Sequence, residues 1–190
     1  MTSLSLKLRT LIKPLLMLLG VLWGLELLDL FLGGRLNYLG IVPRRTLGLR
    51  GIVFAPLLHG NFAHLATNTL PLFVLSFFTM LRGLGVYARV TLFVWLLGGV
   101  GTWLFGGANT VHIGSSILVF GYLGYLLALA YFERSLSSLG VALFVGVLYG
   151  SMLFGVLPGQ AGISWQGHLS GLLGGVVAAR FTRHTLIVRS

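Results

Sequence analysis

The sequence predicts an all-α, polytopic membrane protein built as one bundle of six apolar helices. Three observations predict it. Of 190 residues, 56% are hydrophobic and only 8% are charged, and the mean hydropathy is +0.97. A soluble domain of this size exposes too much of its chain to water to hide so much apolar side chain. Six apolar runs recur, at roughly 14–32, 62–81, 89–106, 115–132, 138–156 and 167–182. Their lengths lie near the roughly 17–25 residues that a spanning helix needs. The cations gather at the ends of these runs rather than on one polar face. Lipid offers the backbone no partner, so the runs are expected to be helices packed together, with residues 1–190 forming a single membrane domain.

The first run is longer than a signal-peptide core and lacks a small-residue cleavage pattern, so it is expected to be a retained helix. It carries Glu26 and Asp29 at i, i+3, on one face. These acids are expected to be structural, anchoring the next loop through Arg35. That loop, 33–61, holds Gly33, Gly34, Pro43 and four arginines, and is too polar to cross again. It is expected to lie at the interface, with Leu39, Ile41, Leu47, Leu49, Ile52, Val53 and Phe54 partly buried.

The second run carries His64 and Asn68 at i, i+4, which places them on one helix face. The fourth run opens on Ser115 and Ser116, contains Gly121 and Gly124, and is followed by Glu133 beside Arg134. The loop 157–166 carries Pro158, Gly159 and Gly162, which break helices and permit movement. The sixth run opens on Gly167 and His168, and Gly167, Gly171 and Gly175 recur every four residues. Such a small-residue face admits another helix closely. Packing of this face against Gly121 and Gly124 is expected to bring the His168 imidazole within reach of the Ser116 hydroxyl.

The net charge of +10 raises nucleic acid as a partner, and the dispersal of the cations excludes it. With the N-terminus inside, nine cations fall on inner segments (Lys7, Arg9, Lys13, Arg82, Arg89, Arg134, Arg180, Arg183, Arg189) and four on outer ones (Arg35, Arg44, Arg45, Arg50). The bias favours both termini on the cytoplasmic side, and the expected location is a prokaryotic cytoplasmic membrane, crossed several times. The basic ends are expected to attract lipid headgroups. The chain has no cysteine, which excludes disulfides, thiol catalysis and thiolate metal sites.

In this topology the second, fourth and sixth runs share a direction. His64, Asn68, Ser116 and His168 then lie at similar depth near the outer face. Each has a plain alternative: the serines as helix caps, His168 as a helix–helix tie, His64 and Asn68 as a polar patch. The chemical reading is a nucleophile and its base. A serine at a helix N-terminus faces free N–H groups and the positive end of the helix dipole, which suit an oxyanion. No acid neighbours His168 in sequence, so a Ser-His dyad is expected rather than a triad. Neither a metal nor another cofactor is expected, because His59, His64 and His112 lack zinc-motif spacing and a carboxylate partner. An aspartyl dyad is disfavoured, since no second helix supplies an intramembrane acid, and a small transporter is disfavoured, since no half-helix pair or charged interior pathway is apparent.

These residues resemble a known family. The segment His59-Gly60-Asn61-Phe62-Ala63-His64-Leu65-Ala66-Thr67-Asn68 resembles the second-helix motif of the rhomboid intramembrane serine proteases. Gly114-Ser115-Ser116 resembles their nucleophile motif, and Phe120-Gly121-Tyr122-Leu123-Gly124 follows it. Gly167-His168-Leu169-Ser170-Gly171, with Gly175 beyond, resembles their base-bearing helix. The order and spacing match across roughly 35–180.

The resemblance implies a rhomboid-like six-helix bundle in which Ser116 is the nucleophile and His168 the general base. It implies that His64, Asn68 and the Ser116 backbone N–H hold the oxyanion. It makes the fifth helix and the 157–166 loop a gate and lid, and it implies single-pass or other transmembrane proteins as substrates. The chain departs from the family pattern at three points. Ile117 stands where glycine is usual, Phe120 where tyrosine is frequent, and Leu49-Arg50 where a Trp-Arg pair is frequent. These departures leave a catalytically inactive protein that binds transmembrane helices as the alternative.

Overall fold

The computed structural model describes residues 3–160 and 162–182, with side chains from residue 9 onward. Arg183 and Arg189, counted above in the charge bias, lie outside the described residues, as does the side chain of Lys7. The described chain is helical with no strand. The long helices are α1 (Ser3–Phe31), α3 (Phe62–Met80), α4 (Leu84–Phe105), α5 (Ser116–Glu133), α6 (Leu136–Tyr149) and α7 (Trp165–Thr182), and a short α2 spans Gly51–Phe54. Among the described residues, five stretches are long and apolar enough to cross a membrane: Arg9–Phe31, Phe62–Met80, Leu84–Phe105, Ser116–Glu133 and Leu136–Val156. The protein is a multi-pass membrane protein. The sixth expected span, α7, has 18 residues, but Gln166, His168, Arg180 and its glycines dilute its hydropathy.

The boundaries shift where polar and apolar residues mix. The first helix begins eleven positions before the apolar run, because Lys7, Arg9 and Lys13 interrupt hydropathy without interrupting helix. Asn61 sets the start of α3 by accepting the His64 N–H at 2.8 Å, a common N-cap bond. Ser135 caps α6 likewise by accepting from Ser138 N–H. The fifth run does not continue as one α-helix. After Tyr149 it tightens into a 3-10 segment, Gly150–Val156.

The centre of the bundle is α5. Two-thirds of its span (67%) is buried, against 17% for the α1 and α6 spans. It lies against α7, α6, α3 and α4. Glycines make its contact with α7 possible. A Cβ on Gly175 would overlap the Gly121 carbonyl, one on Gly124 the Leu172 carbonyl, and one on Gly171 the Ile117 carbonyl. Without hydrophobic drive in lipid, this close backbone approach supplies the association energy through dispersion. On its other side α7 packs on α4, where Gly98 and Gly101 face Gly171 and Ser170.

The segment 33–61 is ordered as short helical turns. Ile41 is fully buried and forms an antiparallel bridge with His112. The Trp95 and Trp103 indoles donate to the Ile52 and Arg45 carbonyls, at 2.8 and 2.9 Å. Arg44 donates to the Leu104 and Gly106 carbonyls at 2.9 and 2.8 Å. Arg50 donates to the Tyr38 carbonyl. Of the residues expected to be partly buried, Leu47, Leu49, Val53 and Phe54 instead face the surroundings, as does Tyr38. Asp29 anchors the segment, but through the Leu36 N–H at 2.7 Å rather than through Arg35. A carboxylate in reach of an orphan backbone donor satisfies it without desolvating a second charge. Glu133 pairs across the bundle with Arg82 rather than with its neighbour Arg134, whose backbone turns left-handed to end α5.

Candidate active site

The N-termini of α3, α5 and α7 open on one cavity of about 790 Å³. His64, Asn68, Ser116 and His168 all line it. Sequence spacing placed them at one depth, and the packing of α5 on α7 brings two of them into contact. The Ser116 Oγ lies 3.0 Å from His168 Nε2.

The partners fix the tautomer. His168 Nδ1 lies 3.0 Å from the Gly155 carbonyl, which can only accept. In the neutral ring Nδ1 therefore carries the proton. Nε2 is left to accept from the Ser116 hydroxyl. Phe120 stacks flat on the imidazole, with centroids 4.0 Å apart and planes inclined by 11°. The ring that matters for this contact is kept without a hydroxyl.

Ser116 is the first residue of α5, so its N–H belongs to the turn that has no intrahelical acceptor. Gly114 sets the approach to it, with φ of +123°, a conformation open to glycine. A Cβ there would lie 2.8 Å from His64 Cε1, 2.9 Å from His64 Nε2 and 3.5 Å from Ser116 Oγ. The His64 ring and the serine thus converge on the space that the missing side chain leaves. Asn68 donates to the His64 carbonyl at 3.1 Å and stays buried at the cavity wall. One of its two amide hydrogens is committed to its own helix.

The plain alternative for Ser115 is a cap on α5. It occupies the cap position but makes no side-chain cap bond. Its hydroxyl lies 3.0 Å from His59 Nε2, and its N–H donates to the same nitrogen at 3.2 Å. The hydroxyl is engaged with a ring outside the helix instead of with the first-turn amides. His59 is 2% exposed. Burial, then the nearby His64, lowers its pKa to about 3, so it is neutral at pH 7. Its ring meets His64 edge-on at 5.2 Å. His59 thus holds the turn before Ser116 and bears indirectly on the site.

Sequence reasoning missed three further contributors. Gly155 supplies the acceptor for the base; nothing in sequence marks a backbone carbonyl. His112 Nδ1 lies 2.6 Å from the Ser164 hydroxyl oxygen, and its Nε2 lies 2.7 Å from the Thr110 hydroxyl oxygen. Burial lowers its pKa. This bond joins the loop before α5 to the loop before α7 over the cavity. Gly98 is the third. It faces the Ile117 side chain, which also approaches Gly167, while Ile117 is 3% exposed and does not line the cavity. The branched residue after the serine thus points into the α4–α7 seam.

A family profile described as the Rhomboid domain matches residues 47–185. The chain belongs to the rhomboid family. An uncharacterized protein of Mycobacterium tuberculosis is 47% identical over 167 residues, covering 84% of this chain and 70% of its own. A Mycobacterium leprae relative is 44% identical over 167 residues, with 84% and 66% covered. Rhomboid-like protease 5 of Toxoplasma gondii is 33% identical over 131 residues, or 66% of this chain and 15% of that protein. The mycobacterial relatives suggest a prokaryotic origin.

Proposed function

We propose that this rhomboid-family chain is an intramembrane serine endopeptidase that cleaves transmembrane segments of membrane proteins. The observation that carries this reading is the 3.0 Å contact of Ser116 Oγ with His168 Nε2, at a helix N-terminus in an open cavity. In this reading His168 takes the Ser116 proton as the oxygen attacks the scissile carbonyl. The Ser116 N–H, with side-chain donors of His64 and Asn68, receives the oxyanion, each such donor being worth roughly 10²–10³ in rate. His168 then protonates the leaving amine, and water resolves the acyl-enzyme. Among the described residues, the cavity lining has no acidic side chain and no Lys or Arg, which favours an uncharged stretch of substrate.

Both termini are proposed to be cytoplasmic, with the cavity opening to the outer face. The orientation of Ile117 into the seam supports the enzyme over the silent helix binder, because the branched side chain stays clear of the serine. A serine-directed fluorophosphonate should label wild type and leave Ser116→Ala unlabelled. Wild type and Ser116→Ala should then be compared on single-pass substrates in liposomes. Equal cleavage by the two proteins would refute the reading. Substrate retained by wild type without turnover would favour the binder.

A further inference from the structure

A Ser-His dyad has no carboxylate to orient its base. A neutral imidazole has two tautomers, and only the Nδ1–H form leaves Nε2 free to accept the serine proton. Something must hold that form, and three observations converge on one short segment. The Gly155 carbonyl accepts from His168 Nδ1 at 3.0 Å. Gly155 can come so close because it lacks a side chain. A Cβ there would lie 3.0 Å from Phe120 Cζ and 3.2 Å from His168 Nδ1. The peptide just before it is pinned from outside, since the Gln160 amide donates to the Phe154 carbonyl at 2.8 Å and the Leu157 N–H donates to it at 3.0 Å.

The segment is the 3-10 continuation of α6, whose span is only 17% buried. A tight 3-10 stretch at the end of a helix has weaker hydrogen-bond geometry than an α-helix and often marks a hinge. The base therefore takes its orientation from an element held more loosely than α5 and α7, which carry the dyad itself.

Building on the protease reading, we propose that the Gly155 carbonyl is the positioning group of the base and that Gln160 is the clamp that seats it. With the 150–156 turn seated, His168 is held as the Nδ1–H tautomer, stacked on Phe120 and aimed at Ser116. With the turn displaced, the ring loses its acceptor and samples the Nε2–H form, which cannot take the serine proton. A substrate that displaces this turn on entry meets a competent base only after the turn reseats. The acceptor also serves the second protonation state, because imidazolium keeps its Nδ1–H and donates more strongly to the same carbonyl.

The test uses the full chain labelled with ¹⁵N-histidine in detergent micelles. His168 is assigned by difference against His168→Ala. Two variants unseat the turn by different routes. Gly155→Ala presses a methyl against His168 Nδ1 and the Phe120 ring, and Gln160→Met removes the clamp with little change of side-chain size. In wild type, the neutral His168 should show the Nδ1–H tautomer. Both variants should show mixed tautomers, with kcat on a single-pass substrate lowered about 10–100-fold and KM within about twofold. That is less than the ~10⁴ lost when the anionic orienting group of a triad is neutralised, since a neutral carbonyl contributes less. If Gly155→Ala does not fold, Gln160→Met decides alone. An unchanged tautomer, or an altered tautomer with unchanged kcat, overturns the proposal. Absence of labelling and cleavage by wild type overturns the protease reading instead, and the tautomer still reports whether Gly155 positions the ring.

Discussion

Ile117 and Gly98 form a size-complementary pair, and a double-mutant cycle tests it. A Cβ on Gly98 would clash with Ile117 Cγ2, and it would lie 3.3 Å from Gly171 Cα. Gly98→Ala therefore overpacks the α4–α5–α7 seam, a change that costs about 1–3 kcal/mol. Ile117→Ala removes three buried carbons and leaves a void between the same helices. In water-soluble cores such a truncation costs about 2–5 kcal/mol. Here the unfolded reference is also apolar lipid, so mainly lost dispersion contacts count, and about 1–3 kcal/mol is expected. In the double variant, the new methyl occupies part of the void. The two losses should then fall short of additivity by about 1–2 kcal/mol. Unfolding in mixed micelles of a mild detergent and dodecyl sulfate reads these values. The rate of fluorophosphonate labelling of folded Ile117→Ala should stay within about threefold of wild type, since about 0.6 kcal/mol is the most that a side chain outside the cavity is expected to alter at the barrier. Additive losses would refute the complementary packing. A labelling rate raised tenfold or more would show that Ile117 obstructs the serine.

Three other outcomes follow from the geometry. Gly114→Ala places a methyl against the His64 ring at a φ of +123°, and labelling of Ser116 should slow about 10²-fold, the scale of losing one oxyanion donor; labelling at the wild-type rate would separate His64 from the reaction. Asp29→Ala should destabilise the fold by about 1.5–3 kcal/mol, the range for a hydrogen bond to a charged group, and should raise proteolysis within 33–61, whereas Arg35→Ala should leave both unchanged. His59 has a folded pKa of about 3, below its ordinary value of 6.5. Between these values the unfolded chain binds the extra proton, so stability is full above about pH 6.5 and falls as pH drops, by at most about 1.4 kcal/mol per unit for this group. His112 acts with the same sign, so the contribution of His59 is read as the flatter slope of His59→Asn, and equal slopes would exclude it.

Much of the architecture was legible because lipid imposes a local rule. A stretch of apolar residues must close its own backbone hydrogen bonds, so hydropathy alone locates helices. The rule misplaced the start of α1, where three basic residues lie within a continuing helix, and it could not see that the fifth run tightens after Tyr149. It also read Ser115 by the commonest local habit of serine. The actual acceptor, His59, lies 56 residues away in sequence. Asp29 was recognised as an anchor but given the wrong partner, because charge pairing is visible in sequence and an orphan N–H is not.

The sequence by itself determined the solvent, the helices and the common depth of His64, Asn68, Ser116 and His168. These follow from composition, period and chain direction, which are properties of each segment alone. The tertiary structure alone decided that Nε2 of His168 meets Ser116, that a carbonyl of Gly155 holds the other nitrogen, and that Ile117 turns away into the Gly98 seam. Depth along a helix is written in residue number. Rotation about its axis and the choice of lateral neighbour are set by contacts between distant glycine faces, and only the packed bundle contains them.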